Sequence, residues 1–232
     1  MDDLSIRYGR QISIPEFGQE NQKKLLNAKI LIIGSGALGS MVAMQLAGAG
    51  IGTLGISDFD NIEISNLQRQ FFFKTSEAGK NKVEILSERI KDLNPQISVI
   101  IYRSFINKKL AEEIFPFYDF IIDATDNPDS KIMIGKISKE NGKPCCIGGV
   151  RNFEGQVSTF LPEDSAFEEY FGNTEGAFLP CSLGGVSGSA ASFCASLQAC
   201  EAIKYITGLG DILSRKILLF NLLSTEFKIL SF

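Results

Sequence analysis

The 232-residue sequence predicts a doubly wound, Rossmann-like α/β fold with a mainly parallel sheet and antiparallel strands at its C-terminal end. Short apolar runs alternate with helical stretches five times between residues 29 and 149, which is typical of a parallel sheet covered by helices. A glycine-rich loop follows the first of these runs. After Gly149 the alternation stops, and two apolar runs near the C-terminus predict a closing antiparallel hairpin.

The strands predicted in the first 150 residues are short apolar runs. They cover residues 29–34, 53–57, 98–102, 119–125 and 144–149. The first of them, with its polar flanks, has the pattern of a buried parallel strand. The stretches between them carry small residues or apolar residues at helical spacing, and Pro95 ends the second helix. These predicted helices cover residues 41–50, 82–93, 108–115 and 129–141.

The remaining residues predict a closing half of different character. Its elements are, in order, a strand at 156–161, a crossover loop at 162–185, a helix at 186–207 and hairpin strands at 216–221 and 225–230. The loop is rich in Gly, Pro, Asn and acidic residues. We expect a single domain over residues 1–232, made of an N-terminal helical arm (1–28), a nucleotide-binding half (29–150) and the closing half (151–232).

The composition excludes several kinds of chemistry. Histidine is absent, which removes Ser-His-Asp and Cys-His catalysis and histidine metal sites. Any reaction must therefore use carboxylates, Lys, Arg, Cys or a bound metal. The net charge of −4 argues against a nucleic-acid-binding protein, because such proteins usually carry a basic excess.

The cysteines and the N-terminus predict a cytosolic protein. Five cysteines, an odd number, in a chain of this length do not suit a secreted disulfide scaffold. The acidic start of the chain does not resemble a signal peptide. The uncharged stretch 176–200 contains Pro180 and many Gly and Ser residues, so we do not expect it to span a membrane.

The glycine-rich loop predicts a nucleotide site. Gly34, Gly36 and Gly39 spell G-x-G-x-x-G directly after a strand and before a helix, where a helix N-terminus offers free N–H groups to phosphate. Asp58 ends the next strand, 24 residues after Gly34, at the position of a ribose-binding acid. The pattern favours an adenine nucleotide without saying which, and an NAD-dependent oxidoreductase is the default interpretation.

A cluster of polar residues favours phosphate chemistry over hydride transfer. The cluster contains Asn66, Gln68, Arg69 and Gln70, the downstream Lys82, and Asp123, Asp126 and Asn127 at the end of the fourth strand; Arg7 and Arg10 lie upstream. Cations can neutralise a triphosphate, and an aspartate can hold Mg²⁺. Simpler explanations are that Arg10 is a surface residue and that Asp126 and Asn127 cap the helix beginning at Pro128.

With these motifs in order, the chain resembles the ThiF/MoeB/HesA adenylyltransferases, bacterial relatives of the ubiquitin-activating enzymes. The matching segments are RYGRQ (7–11), IIGSGALGS (32–40), SDFDNIEISNLQRQ (57–70), GKNKVE (79–84), NP (94–95), DATDN (123–127), EGQVSTF (154–160) and SLQACEAIK (196–204). The resemblance implies ATP-dependent adenylation of the C-terminal glycine of a ubiquitin-like sulfur-carrier protein, with release of pyrophosphate, in thiamine or molybdopterin biosynthesis. It also implies a homodimer, a carrier ending in Gly-Gly, Mg²⁺ and a possible sulfur donor, and no nucleic acid or membrane.

The resemblance also implies residue roles. Asp58 would hold the ribose, and Asn66, Arg69 and Lys82 the phosphates, beside Gly34, Gly36, Gly39 and Asn127. Asp126 would organise Mg²⁺, and Arg10 would reach the site of the partner subunit. The small residues of 187–192 would allow close packing of helices between subunits.

The chain departs from the family pattern in its cysteines. Many members bind a structural zinc ion through two C-x-x-C pairs, and this sequence contains none, so we expect no zinc. Cys181 matches a cysteine of the crossover loop that in some members joins the carrier covalently, and the sequence leaves that role open. Cys194 and Cys200 are predicted to be inert core residues, and at least one of Cys145 and Cys146 is predicted to be buried.

Two other functions remain possible at this point. An NAD(P)-dependent oxidoreductase would share the glycine loop but leaves the segment 66–70 and Lys82 unexplained. A non-catalytic nucleotide-binding module would share the fold, although no phosphate-handling position of the motif is missing.

Overall fold

The computed structural model describes residues 3–163, 165, 167 and 184–231, in which eight strands form one sheet with helices on both faces. The strands are β1 (Lys29–Ile33), β2 (Thr53–Ser57), β3 (Ser98–Tyr102), β4 (Phe120–Asp123), β5 (Cys145–Arg151), β6 (Glu154–Phe160), β7 (Lys216–Asn221) and β8 (Glu226–Ser231). The α-helices in this part of the chain are α1 (Asp3–Ile12), α2 (Gly18–Asn27), α3 (Gly39–Ala49), α4 (Lys82–Leu93), α5 (Lys108–Ile114), α6 (Pro128–Glu140) and α7 (Gly188–Thr207).

The sheet has the order β3-β2-β1-β4-β5-β6-β7-β8. Strands β1 to β5 run parallel, and β6, β7 and β8 continue the sheet antiparallel. The chain reverses direction across the sheet between β1 and β4, which is the switch point where α/β proteins bind ligands. The predicted fold class is confirmed.

Alternating side chains of the strands build two cores. In β1, Ile30 and Ile32 face the core beneath α3, α4 and α7, whereas Leu31 and Ile33 face the core beneath α5 and α6. Because both faces are covered, a central strand such as β1 is apolar at four consecutive positions. This explains the apolar runs of β1, β2, β4 and β5, whereas β3, at the edge of the sheet, is apolar although it is partly exposed.

The first helices form an arm that packs against the helices α3 and α7 and the end of α4. The hydroxyl of Tyr8 accepts a hydrogen bond from Nδ2 of Asn94 at 2.8 Å, and the same amide donates to the carbonyl of Ala47. Asn94 is fully buried, so the NP motif at 94–95 serves the fold. Arg10, in the last turn of α1, is exposed.

Helix α7 packs against α3, β5 and β6 and begins two residues later than predicted. Its small residues Ala190 and Ala191 are fully buried inside the subunit. These two alanines therefore pack within the subunit, whereas Ser189 is exposed, so the use of 187–192 between subunits stays a prediction. Among the described residues, no helix is both long enough and apolar enough to cross a bilayer.

Candidate functional site

A cavity of about 500 Å³ opens at the carboxyl ends of β1, β2 and β4. Its volume lies in the range of small-molecule sites. Most of the residues predicted from the sequence line this one cavity, namely Gly34, Gly36, Asp58, Asn66, Arg69, Lys82, Asp126 and Asn127. Gly39 and Arg10 do not line it.

The glycines of the loop differ in why they must lack a side chain. Gly34 has a φ of +92°, and a Cβ there would lie 2.8 Å from the carbonyl oxygen of Ala124. At Gly39 a Cβ would lie 1.8 Å from the carbonyl oxygen of Gly34, so the first turn of α3 packs directly on the loop. These two glycines are required by the fold itself.

Gly36 is different, because the protein leaves room for a side chain there. The nearest atom to a Cβ would be Nε2 of Gln70 at 3.5 Å, an ordinary contact. Since Gly36 lines the cavity and no other part of the described chain requires it to be glycine, its bare backbone suits the close approach of a ligand.

Asp58 is nearly buried and fixed by three donors. Its Oδ2 accepts hydrogen bonds from the backbone N–H of Ser35 at 2.7 Å and from the Ser35 hydroxyl at 2.9 Å. Its Oδ1 accepts one from the backbone N–H of Asp60 at 2.9 Å. The glycine loop and the end of β2 are therefore locked together, with acceptor capacity on Oδ1 left for a ribose hydroxyl.

Lys82 supplies a buried positive charge at the first position of α4. It is 5% exposed, and its Nζ donates to Oδ2 of Asp60 at 2.8 Å. Asp60 is a functional candidate that the sequence analysis missed, although it lies only two residues beyond Asp58. Its side chain is 48% exposed, so water can solvate the carboxylate if a phosphate takes its place beside Lys82.

The segment 64–70 brings three more polar side chains to the cavity. Asn66 ends a short 3₁₀ helix and its Oδ1 accepts from the backbone N–H of Glu63, while Nη1 of Arg69 donates to the carbonyl of Ser65 at 3.1 Å. Gln70 is buried, and its Oε1 has no hydrogen-bond partner. A buried amide with unmet capacity beside a cavity fits a polar ligand there.

The turn after β4 gives two neighbouring polar residues different roles. Asp126 is exposed at the cavity, whereas Asn127 caps α6, accepting from the backbone N–H of Ser130 at 3.0 Å. The simpler explanation considered for Asp126 and Asn127 thus applies to Asn127. A single exposed carboxylate beside a phosphate site fits Mg²⁺, which is usually held by one or two carboxylates and substrate phosphates.

Asp123 and Lys131 form a buried ion pair that the sequence analysis did not identify. Nζ of Lys131 lies 3.2 Å from Oδ2 of Asp123 and donates to the carbonyl of Gly148 at 2.7 Å. Thr125 donates its backbone N–H and hydroxyl to the other carboxylate oxygen. Asp123 is therefore fully engaged in holding the turn that presents Asp126.

A second cavity of about 450 Å³ adjoins the first. The two cavities share Asp126, Gly149 and Val150 as lining residues. The second cavity runs over the antiparallel strands, with Leu219 and Phe220 of β7 and Gly155 of β6 in its lining. A second reactant can therefore approach Asp126 from the side of β6 and β7.

The cysteines give one correction. Cys145, Cys146 and Cys194 are buried, and burial raises the pKa of each thiol, that of Cys194 to about 12. Cys200 was expected in the core but is exposed, because it lies on the outward face of α7. Cys181 lies outside the described residues. Within the described part, no three Cys, Asp or Glu side chains come together as a metal site.

Comparisons with known proteins identify the family of the chain. The model of the ThiF family matches residues 8–232. A probable molybdopterin-synthase adenylyltransferase of Gracilaria tenuistipitata var. liui is 37% identical over 224 residues, covering 96% of this chain and 63% of that protein. The chain thus spans less than two thirds of the curated relatives it matches.

Solved structures match over the whole fold. The crystal structure of PaaA has a TM-score of 0.84 and 27% identity, covering 100% of this chain and 74% of that one. The structure of Escherichia coli MccB with ATP has a TM-score of 0.78 and 25% identity, covering 91% of this chain and 65% of that one.

Proposed function

Because this chain belongs to the ThiF family, we propose that it is an ATP-dependent adenylyltransferase acting on the C-terminal glycine carboxylate of a small ubiquitin-like sulfur-carrier protein. The observation that carries the proposal is the convergence of Lys82, Arg69 and Asp126 on one cavity with the glycine loop and Asp58. Hydride transfer to or from a nicotinamide ring does not itself require the cations or the exposed aspartate of this cavity.

In the proposed complex, Asp58 accepts a hydrogen bond from the ribose, and the phosphates lie along the glycine loop. Lys82, Arg69 and Asn66 contact phosphate oxygens, and Lys82 exchanges its contact with Asp60 for one with phosphate. The N-terminus of α3 adds backbone donors beside the same anion. Mg²⁺ bound at Asp126 would neutralise part of the triphosphate charge.

The proposed reaction needs no general base. A C-terminal carboxylate has an ordinary pKa near 3.5, so about all of it is ionised at neutral pH. One of its oxygens attacks the α-phosphorus of ATP; a carboxyl–phosphate anhydride bond forms, the α–β bond breaks, and pyrophosphate leaves with the electron pair. Lys82 and Arg69 stabilise the charge that develops, which explains how a protein without histidine can perform this chemistry.

The second cavity supports the approach of the carrier. It meets the first cavity at Asp126 and Gly149, so a C-terminal segment lying over β6 and β7 would point its carboxylate at the α-phosphate. The Gracilaria relative is named for molybdopterin synthase, so we propose a carrier of that pathway first, with a thiamine-pathway carrier as the alternative to be assayed. A cytoplasmic location is part of this proposal.

Exchange of labelled pyrophosphate into ATP tests the function. We expect exchange that depends on Mg²⁺ and on a carrier with an intact Gly-Gly end, and none with the same carrier shortened by its last glycine. The shortened carrier is the matched control, because its folded surface is unchanged. Two results would contradict the proposal. One is nicotinamide-dependent oxidation of a substrate, and the other is nucleotide binding with no pyrophosphate exchange in the presence of any of the carriers.

We also propose a homodimer in which Arg10 acts on the site of the partner subunit. Arg10 is exposed and lines neither cavity of its own subunit. Mixing Arg10→Ala with Asp126→Ala protein is expected to restore roughly a quarter of wild-type exchange, since half of randomly formed dimers are mixed and one of their two sites is intact. Both starting variants are expected to be inactive alone.

A second mixture provides the control. Lys82 and Asp126 both line the cavity of their own subunit, so in a mixed dimer of Lys82→Ala and Asp126→Ala protein each of the two cavities carries one change, and we expect no recovery. If the Arg10→Ala mixture stays inactive after confirmed subunit exchange, Arg10 does not act across the interface.

A further inference from the structure

Lys131, the fourth residue of α6, is a buried cation that the proposed mechanism does not use. Its side chain is 8% exposed, and its Nζ lies 3.2 Å from Oδ2 of Asp123 and donates to the carbonyl oxygen of Gly148 at 2.7 Å. An ammonium group has three N–H donors. In the described part of the chain these two oxygens are the hydrogen-bond partners of Lys131, so one N–H is left for a ligand.

The Lys131 ammonium lies close to the place where the two cavities meet. Lys131 lines the second cavity, and its acceptor Gly148 directly precedes Gly149, which lines both cavities. Asp126 also lines both cavities, in the turn that leads into α6. A reactant that enters along the second cavity therefore comes near Lys131 as its end reaches the first.

The buried ion pair presents its two charges differently. Asp123 is fully buried and lines neither cavity, and its Oδ1 accepts hydrogen bonds from the backbone N–H and the hydroxyl of Thr125. Lys131, by contrast, lines the second cavity. The member of the pair that a reactant can contact is therefore the cation.

A cation at this place has a clear electrostatic use. Asp126 carries a negative charge, and bound ATP would add the charge of its phosphates. Both repel an incoming carboxylate, because like charges at close range raise the free energy. A hydrogen bond from a buried ammonium can offset this repulsion, since little water screens it and charge-assisted hydrogen bonds are strong.

The cations Arg151 and Lys228 also line the second cavity, but both are exposed. The Lys228 side chain is 68% exposed on the edge strand β8, with Glu226 at 3.9 Å. Water solvates such a group, so its pairing with another charge contributes little. Burial therefore distinguishes Lys131 from the cations of the outer strands.

From this arrangement we infer that Lys131 binds the C-terminal carboxylate of the second reactant, donating its remaining N–H to the oxygen that does not attack the α-phosphorus. The inference rests on the proposed adenylation. The bonds to Asp123 and Gly148 fix the ammonium before the reactant arrives, so little reorganisation is needed on binding. The contact makes the site select a free carboxylate over an uncharged end of the same size.

A carrier with two different ends tests this contact. A sulfur carrier ending in Gly-Gly is prepared with its free carboxylate and as the C-terminal carboxamide, and the binding of each form is measured without nucleotide. Wild-type protein is expected to bind the carboxylate form about tenfold more tightly or better, because a hydrogen bond between charged groups is lost with the amide. In Lys131→Met protein this ratio is expected to fall toward one, whereas Lys131→Arg keeps most of it.

Three further variants separate the contact from a structural role. Lys131→Met leaves the buried Asp123 carboxylate without its cation, which destabilises the fold. Lys131→Met combined with Asp123→Asn removes both charges and replaces the single variant if thermal unfolding shows that the latter is not folded. Asp123→Asn alone disturbs the same pair but keeps the ammonium, so the preference for the carboxylate is expected to remain. Lys136→Met, at an exposed position of α6 that lines neither cavity, is expected to leave the ratio unchanged.

The outcomes distinguish this inference from the proposed function. A wild-type ratio in the folded double variant overturns the role of Lys131, and so does an equal loss of preference in Asp123→Asn and Lys131→Met. Loss of the preference in Lys228→Met instead assigns the contact to β8. A wild type that exchanges pyrophosphate yet binds both carrier forms equally overturns the contact and leaves adenylation standing. A preference that depends on Lys131 in a protein without exchange upholds the contact and overturns adenylation.

Discussion

Lys82→Ala is expected to lower the rate of pyrophosphate exchange by about a hundredfold while the protein stays folded, because one charge-stabilising group at a transition state contributes roughly 3 kcal/mol. The Lys82 ammonium is buried beside the cavity and has Asp60 as its partner. After its removal the Asp60 carboxylate is still about half exposed to water, so the change does not leave a buried charge without a partner. Exchange kinetics measure the loss of rate, and a thermal unfolding curve on the same sample shows whether the variant is folded.

Lys80→Ala is the control for this variant. Lys80 lies two residues earlier, is exposed and does not line the cavity. Its replacement removes one positive charge from the same region, and we expect the exchange rate to stay at the wild-type value. Exchange at near-normal rates in folded Lys82→Ala protein would remove Lys82 from the proposed mechanism. A comparable loss in Lys80→Ala would indicate that net charge, not the Lys82 contact, is responsible.

The parallel strands could be predicted from the sequence because their burial pattern is simple. A strand covered on both faces, such as β1, is uniformly apolar and bounded by polar residues, so its position depends on hydrophobicity alone. Strand β2 and helix α4 have the predicted bounds, because Asp58 and Pro95 mark their ends in the sequence. Local sequence patterns were therefore nearly sufficient to predict the fold.

The pairing of charges in the site could not be predicted in the same way. Asp60 lies two residues from Asp58 and 22 from Lys82 in sequence, and only the folded segment 60–81 brings its carboxylate to Lys82. Likewise, Lys131 meets Asp123 because α6 packs beside β4. Motif spacing identified which residues gather at the strand ends, whereas their partners depend on tertiary packing.

The error at Cys200 has a related cause. Helix α7 is apolar over most of its length, so its sequence carries little periodic signal to separate the inner from the outer face. Cys194 falls on the inner face, where its thiol contacts the carbonyls of Gly149 and Gln156, and Cys200 falls on the outer face. The orientation of such a helix is decided by the sheet on which it packs.

Alanine at Gly39 is expected to destabilise the protein by about 3 kcal/mol, because overpacking against backbone that cannot move is costly. The added Cβ would lie 1.8 Å from the carbonyl oxygen of Gly34 and 3.3 Å from Cβ of Ala124, so the loop and α3 must separate. Urea unfolding of Gly39→Ala against wild type measures the change in the free energy of unfolding.

Gly36→Ala is the matched variant, three residues away in the same loop. Its φ is not positive and its Cβ meets only Gln70 at an ordinary distance, so the free energy of unfolding is expected to stay at or slightly above the wild-type value. The methyl group occupies space in the cavity, however, so ATP affinity is expected to fall by about tenfold or more even though stability is retained.

If Gly36→Ala is destabilised as much as Gly39→Ala, the loop needs its second glycine for folding. If Gly36→Ala is stable and binds ATP normally, the phosphates do not approach Gly36. Stability without affinity in this variant is the result that would tie the loop to the nucleotide independently of any assay of the reaction.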